Sequence, residues 1–227
     1  MEMEIVLPDE VPVMTLPNLA FFPQALLPLH IFEPRYRQML RDVLATNRLF
    51  AVAGIDAKRL ADPDTFEPPH RVATVGIVRA CQASNDGTSN LLLQGLCRVE
   101  FLEILTDEPF RRVRIRALAS ELGGEPQDIQ RLRTELGRLL SLKRKFGAVM
   151  PEEMADFLRS VKDPETFVDL AAFSLCEDHN LKQKLLETLD VGQRLKLFST
   201  QLRAEIAALR LRLTLQGKLS DDRITDN

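Results

Sequence analysis

Short apolar segments separated by turn residues occupy the first half of the chain. Their richness in Val, Ile, Leu and Phe is typical of β-strands, and they lie at 11–15, 25–31, 49–55, 71–82, 90–104 and 110–117. Residues 84–87 (SNDG) predict a tight hairpin, because Asn, Asp and Gly tolerate a positive φ. Many short strands with one early helix at 34–46 predict a closed or nearly closed β-barrel over residues 1–118.

The apolar pattern changes to a helical period after Gly123 and Gly124. Apolar residues then recur every three or four positions, which predicts helices at 125–146, 151–161, 164–175, 181–189 and 191–216. Asp163, Asn180 and Asp190 are suited to cap the last three of these helices. The predicted fold class is therefore α+β, with a helical bundle over residues 119–227 after the barrel.

The last predicted helix carries a long apolar stripe. It would extend about 39 Å at the usual rise per residue. Val191, Phe198 and Leu202 are expected in the core, and the stripe continues through Ile206, Leu209 and Leu213. A monomer rarely exposes a large contiguous apolar patch, so we expect this stripe to pack against the helix at 125–146. Pairing with another copy or with a partner is the alternative.

Composition and charge narrow the class of protein. The chain has 227 residues, enough for one large domain or two ordinary ones, and 45% of them are hydrophobic, so a sizeable core can form. A net charge of −3 gives no general attraction to nucleic acid or anionic lipid. The first ten residues are acidic where a secretory signal would be basic, and no apolar run is long enough to cross a bilayer. Together with three cysteines lacking any C-x-x-C pair, this predicts a cytoplasmic protein with reduced thiols.

His30 and Glu33 raise the question of a metal or catalytic site, because they lie three residues apart. The spacing is strand-like up to residue 32 and helical from Pro34 onward. Pro34 presets φ for a first helical turn, and Glu33 places negative charge at the helix N-terminus. Since the helix begins between the two side chains, they do not share the helical face that ligands at this spacing need. We therefore interpret the segment as a joint between a strand and a helix.

Two further groups of polar residues contain the residue types of a catalytic or metal site. Cys176 and His179 are three residues apart, but Cys-His dyads are spatial arrangements without a transferable local signature, so a turn at a helix end is favoured. Another group lies in one loop and lacks the spacing of a calcium loop: Asp62, Asp64 and Glu67. The sequence therefore predicts no catalytic residue, no metal ligand and no cofactor.

One run of residues is similar to a known family. The sequence PLHIFEPRY at 28–36 resembles the amino-terminal, substrate-binding domain of Lon proteases. Further matching segments are LPN at 16–18, FP at 22–23, LFAV at 49–52, VG at 75–76, NLLLQGL at 90–96 and KLLETLDV at 184–191. The resemblance implies a PUA-like pseudo-barrel followed by a helical bundle, which agrees with the division made from periodicity.

The resemblance also implies a function. A complete Lon protease has an ATPase and a Ser-Lys protease module, but no G-x-x-x-x-G-K-[ST] motif occurs and 227 residues leave no room for either module. We therefore expect a stand-alone, non-catalytic module that binds exposed apolar or unfolded polypeptide segments in a cleft between barrel and helices. It would act as an adaptor to a protease or chaperone. Participation in ATP-dependent proteolysis in trans, or a small-molecule enzyme in that cleft, are weaker alternatives.

Two surfaces are candidates for binding. Phe21, Phe22 and Pro23 form an aromatic segment between strands, with one ring expected in the core and the other in an exposed apolar groove; burial of both is the alternative. A basic stripe shares one face of the last strand: Arg112, Arg114 and Arg116. PUA-like folds include RNA binders, so this stripe supports RNA binding as the rival function. Glu100 and Glu103 on the preceding strand can neutralise it, which makes nucleic acid the weaker choice.

Overall fold

A computed structural model describes residues 6–61, 66–146 and 150–216. Its strands form one mixed sheet: β1 (Glu10–Leu16), β2 (Leu26–Ile31), β3 (Leu49–Gly54), β4 (Val72–Ala83), β5 (Ser89–Thr106) and β6 (Arg112–Leu118). Helix α1 (Pro34–Leu44) lies between β2 and β3, and a short 3-10 helix (Ala57–Arg59) follows β3. The remaining helices are α2 (Pro126–Lys145), α3 (Glu152–Ser160), α4 (Pro164–Leu175), α5 (His179–Glu187) and α6 (Val191–Gln216). The predicted α+β class is confirmed.

Five of the strands close into a barrel. They pair in the order β5, β4, β3, β1 and β6, and β6 pairs again with β5. The β1–β3 pair is parallel and the other pairs are antiparallel. The interior is filled mainly by small and branched side chains: Val11, Val13, Leu49, Ala51, Ala53, Ala73, Val75, Val99, Phe101, Val113 and Ile115. Strand β2 lies outside this ring and pairs, among the described strands, with the first half of β5.

A β-bulge within strand β5 changes which of its residues face each side of the sheet. The register against β4 passes from Cys97 to Gly95, which leaves Leu96 as an extra residue in a β-bulge. Leu93 before the bulge belongs to the core shared with the helices, whereas Val99 after the bulge belongs to the barrel interior. Because side chains alternate sides along a strand, one extra residue exchanges the two sets of positions. The bulge therefore allows one long strand to serve two cores.

Aspartate side chains cap the N-termini of several helices. Asp163 accepts a hydrogen bond from the Thr166 N–H at 2.8 Å, and Asp190 accepts one from the Gln193 N–H at 2.8 Å, as predicted. The predicted cap at Asn180 is wrong. Helix α5 is capped instead by Asp178, whose side chain accepts from two backbone N–H groups at 2.9 and 3.0 Å. Because the Asp178 carboxylate accepts from two backbone N–H groups that have no partner within the helix, α5 begins at His179, two residues before the predicted start.

The long helix α6 packs along α2 for most of its length. Phe198, Leu202 and Ile206 are buried and Leu209 is half-buried, so the predicted intramolecular packing holds this far. The expectation for Leu213 is wrong, because this side chain is exposed. The guanidinium of Arg210 lies over the ring of Phe146 at 5.0 Å, just past the last residue of α2. The final turns of α6 therefore extend past the end of the helix that covers the earlier part of the stripe.

A buried ionic network joins the barrel to the helices. Arg98 of β5 donates two hydrogen bonds to Asp169 of α4, at 2.7 and 2.8 Å, and Arg194 of α6 donates to the same carboxylate at 2.5 Å. All three residues are almost completely buried, and the half-exposed Glu165 lies 3.1 Å from Arg194. Two guanidinium groups thus share two carboxylates, which is the pairing that buried charges require. The network and a continuous core cross the predicted division at residues 118/119.

Candidate functional site

A cleft of about 760 Å³ lies between the barrel and helix α5. One wall comes from the end of β3, the 3-10 helix and His70, and the other comes from one side of α5. We call this site the barrel–helix cleft; its lining includes Asn18, Leu19, Gly54, Ile55, Asp56, Ala57, Lys58, His70, His179, Asn180, Gln183, Lys184 and Glu187. The resemblance described in the sequence analysis led us to expect a cleft between the barrel and the helices, and this cleft lies there. Its lining is more polar than an apolar peptide groove would be.

Hydrogen bonds fix the inner wall of the barrel–helix cleft. The Gln183 amide nitrogen donates to the Val72 carbonyl at 3.1 Å and to Glu187 at 2.8 Å. The Gln183 side-chain oxygen is buried and accepts no hydrogen bond from any described residue. His70 lies 4.0 Å from Glu187 across the cleft. Most buried polar atoms in folded proteins have a hydrogen-bond partner, so an unpaired buried acceptor is uncommon.

The structure shows the strand–helix joint at His30 and Glu33 that we predicted. Helix α1 begins at Pro34, and Glu33 forms an ion pair with Arg35 at 2.9 Å. The His30 ring lies against Asn90 of the neighbouring strand, with Nδ1 and the amide oxygen 2.8 Å apart. The two side chains therefore have separate partners.

Cys176 and His179 are not arranged as a nucleophile and base. Cys176 is a buried free thiol whose Sγ donates to the Asp178 carbonyl at 3.5 Å. Burial raises the pKa of this thiol above its usual value, and a thiol, unlike a thiolate, is a poor nucleophile. His179 is exposed at the start of α5 and lines the barrel–helix cleft. The turn at a helix end is the better description.

The described residues include only part of the acidic loop. Asp62 and Asp64 lie outside the described residues. Glu67 forms an ion pair with Arg35 at 3.0 Å and accepts a hydrogen bond from the Thr15 hydroxyl at 2.9 Å. This carboxylate therefore connects the loop to β1 and α1.

Phe21 and Phe22 do not form an exposed groove. Both rings are almost completely buried, so the expectation that one of them is exposed is wrong and the alternative applies. Phe21 packs edge-to-face on Phe173 at 6.1 Å, and the guanidinium of Arg98 lies 5.8 Å from the Phe22 ring. Pro23 is half-buried. The segment lies between the barrel and the helices and contributes to their shared core.

The arginine ladder, Arg112, Arg114 and Arg116, lies on β6 beside the acidic residues of β5. Arg114 pairs with Glu103 at 2.6 Å, and Arg116 pairs with Glu100. The neutralisation across the two strands that we predicted is therefore present for both arginines. Arg112 is half-buried at the start of the strand.

An exposed apolar surface of the sheet was missed at the level of sequence. It occupies the outer side of β2 and the adjoining parts of β5 and β4. We call it the apolar face; it consists of Leu26, Pro28, Phe32, Ile77, Ala80 and Leu92. The signal was present in LLPLHIF at 26–32, where apolar residues occupy both alternate sets of positions. In a strand covered on one side only, one of these sets should be polar.

Comparison with known proteins identifies relatives over nearly the whole chain. A family profile described as the ATP-dependent protease La (LON) substrate-binding domain matches residues 10–204. The Lon protease of Syntrophus aciditrophicus is 26% identical over 219 residues, which is 95% of this chain and 28% of that protein. The chain thus spans little more than a quarter of the length of this curated relative.

Two solved structures share the fold. The N-terminal domain of the Mycobacterium avium complex Lon protease has a TM-score of 0.66 at 17% identity, covering 86% of this chain and 98% of that one. The Lon N-terminal domain protein of Xanthomonas campestris has a TM-score of 0.58 at 22% identity, covering 86% and 97%. In the described part of the chain, no helix is long and apolar enough to cross a membrane.

Proposed function

Because the chain belongs to the LON substrate-binding domain family, we propose that it is a non-catalytic module that recognises unfolded or partly folded polypeptides. The observation that carries the proposal is the barrel–helix cleft, which lies between the two parts of a fold of this family. The bound polypeptide would be passed to an ATP-dependent protease or a chaperone, so the module acts as an adaptor.

The lining of the barrel–helix cleft suits an extended polypeptide backbone. An unfolded segment presents one N–H and one C=O group per residue, and each needs a partner when it leaves water. Lys58, Lys184 and Asn180 supply donors, while the carboxylates of Asp56 and Glu187 supply acceptors. Backbone recognition of this kind depends little on the sequence of the bound segment. A folded protein would not be recognised, because its backbone groups are already paired.

RNA binding has less support. Phosphate recognition needs cations that are available to the phosphate, whereas Arg114 and Arg116 each have a carboxylate partner. The net charge of −3 also opposes association with a polyanion.

The test compares one labelled protein in two states. We expect a fluorescein-labelled, reduced and alkylated protein to raise its anisotropy on addition of this chain, while its native form does not. Ala57→Trp places a bulky ring on an exposed position that lines the cleft, and should weaken the binding at least about fivefold. Ala207→Trp, on an exposed position of α6, is the matched control and should leave binding unchanged.

Two results would contradict the proposal. Wild-type chain that binds the unfolded probe no better than an inert protein of similar size and charge would remove the function. Equal weakening by Ala57→Trp and Ala207→Trp would remove the cleft as the binding site.

A further inference from the structure

A second cavity, with a volume of about 210 Å³, lies among the helices α2, α3 and α4. We call it the helical pocket and define it by six of its lining residues: Gly137, Leu140, Lys145, Ala155, Leu158 and Phe167. None of them lines the barrel–helix cleft or belongs to the apolar face. The helical pocket is therefore a separate site in the fold, and the proposed function does not use it.

The inner part of the helical pocket is apolar. Leu140, Leu158 and Phe167 line it, and all three side chains are almost completely buried. Met150 and Ala155 contribute half-buried walls. An apolar cavity of about 150 Å³ is enough to take up benzene. The helical pocket therefore has room for an aromatic ring or a short hydrocarbon chain.

Gly137 leaves part of this space open. It lies in the middle of α2, where glycine destabilises a helix relative to alanine. A Cβ atom at this position would meet the Phe167 ring at 3.7 Å, which is an ordinary contact distance. At Gly192 of α6, by contrast, a Cβ atom would come within 2.8 Å of Ile129. The packing of α2 thus does not require glycine at position 137, and the missing side chain enlarges the pocket.

The edge of the helical pocket is cationic. Arg144, Lys145 and Arg159 are among its lining residues, and no carboxylate of the described residues lines it. Arg144 lies 3.5 Å from Glu152, and Arg159 forms an ion pair with Asp156. Both carboxylates are exposed, where an ion pair contributes little to stability. These two arginines can therefore turn toward a bound anion at little cost.

Lys145 adds a cation that has no ion-pair partner among the described residues. The three cations and the two neighbouring carboxylates leave one positive charge at the edge of the pocket. A ligand carboxylate would balance this charge, and it can accept paired hydrogen bonds from a guanidinium group. The helical pocket thus matches a molecule with an apolar body and one negative charge at its end.

We propose that the helical pocket binds a small amphipathic carboxylate, of the arylalkyl or short fatty-acid type. Its apolar body lies against Leu140, Leu158 and Phe167, and its carboxylate lies at Lys145. Such a ligand would stabilise α3, a fully described helix in which Leu158 is the one buried residue. The inference does not rest on the proposed function, because the two sites share no lining residue.

The experiment titrates the full chain with phenylbutyrate and follows the backbone amide signals by NMR. We expect the signals of segments 137–145 and 155–159 to shift, with a Kd of about 1 mM or lower for a ligand of this size. Phenylbutanol has the same apolar body without the charge and should bind about fivefold more weakly, as expected for the loss of a partly exposed ion pair. Phenylbutylamine, which carries the opposite charge, should bind most weakly.

Gly137→Ala should change stability and binding in opposite directions. We expect a higher Tm, because alanine favours the helix, together with binding of phenylbutyrate that is about threefold weaker, because the methyl group takes up space in the pocket. A residue with a purely structural role would not separate the two readouts in this way. A higher Tm with unchanged binding would overturn the proposal.

Lys145→Gln tests the recognition of charge. The variant should bind phenylbutyrate about as weakly as it binds phenylbutanol. Lys196→Gln, which changes an exposed lysine of α6, is the matched control and should keep the wild-type preference for the carboxylate. Because cations in the last turn also stabilise a helix, a purely structural Lys145 would lower the Tm and leave this preference intact. That result would overturn the proposal.

The remaining outcomes separate the helical pocket from the barrel–helix cleft. If phenylbutyrate causes no shifts, or if all three compounds bind equally, the helical pocket fails as a carboxylate site and the proposed function stands. Ala57→Trp, which blocks the cleft, should leave the binding of phenylbutyrate unchanged. If this variant loses phenylbutyrate as well, the ligand lies in the cleft and the inference is overturned.

Discussion

Strand β5 carries two solvent-exposed surfaces of opposite chemistry. Near its start, Leu92 belongs to the apolar face, which includes the half-exposed Leu26 and Phe32. Near its end, Glu100 and Glu103 pair with the arginine ladder of β6. The second surface has its polar groups satisfied within the protein, whereas the first leaves apolar side chains in water. A surface whose groups are already paired offers little to a partner, and an uncovered apolar surface offers a free energy of burial.

The bulge at Leu96 separates the two surfaces. Before it, the side of β5 that faces the helices carries Leu91 and Leu93; after it, that side carries the buried Arg98 and then Glu100. The strand thus uses the bulge at Leu96 to place apolar and charged residues on different sides, and a second register shift, between Phe101 and Glu103, keeps Glu103 on the side of Glu100. The three predictions that follow remove features of this arrangement, beginning with the largest effect.

Deletion of Leu96 should have the largest effect. The deletion removes the bulge, so one half of β5 must present its apolar side to solvent. We expect a loss comparable with the whole stability of a domain, about 5–15 kcal/mol, and no cooperative thermal transition by circular dichroism. Leu96→Ala keeps the residue count and should retain the transition. A deletion variant that melts cooperatively near the wild-type temperature would show that the bulge does not set the two surfaces.

Asp169→Asn should have the second largest effect. It leaves Arg98 and Arg194 without their shared carboxylate. Arg98 lies on β5 between the two surfaces. Removing one member of a buried ionic network costs about 3–5 kcal/mol, measurable as a lower midpoint of urea unfolding. Glu165→Gln changes the more exposed carboxylate of the same network and should cost less. Equal costs for the two variants would contradict the importance of burial here.

Arg114→Ala and Arg116→Ala should have the smallest effect. Both arginines are exposed and paired at the surface, where an ion pair contributes less than about 1 kcal/mol to the free energy of unfolding. Binding of an unfolded polypeptide should stay at the wild-type level. A marked loss of binding in these variants, with unfolding unchanged, would move the binding surface from the barrel–helix cleft to the arginine ladder.

Much of the fold follows from local patterns. The six strands, the strand–helix joint at Pro34 and the helix over 191–216 were predicted from periodicity and from the positions of Pro, Gly and Asp. These signals are local, because a strand or helix alternates with its own period. The pairing of Glu100 and Glu103 with the arginines was also predictable, since it needs only two neighbouring strands.

The features that depend on tertiary contacts were not predictable. Nothing in the sequence places Arg98, Asp169 and Arg194 together, because they come from three elements separated by long stretches of chain. Phe21 and Phe22 appeared suitable for a surface groove, but burial between two layers is decided by packing. The apolar face was not predicted for a related reason. An apolar run in a strand is typical of a strand covered on both sides, so it does not predict an exposed side.

The most direct test is hydrogen–deuterium exchange of the full chain, with and without an unfolded polypeptide. If the chain recognises such polypeptides through the barrel–helix cleft, exchange should slow in segments 54–59 and 179–187. Segment 112–118, which carries the arginine ladder, should be unchanged. Slower exchange confined to 112–118, or no change anywhere in a complex shown to form, would contradict the account.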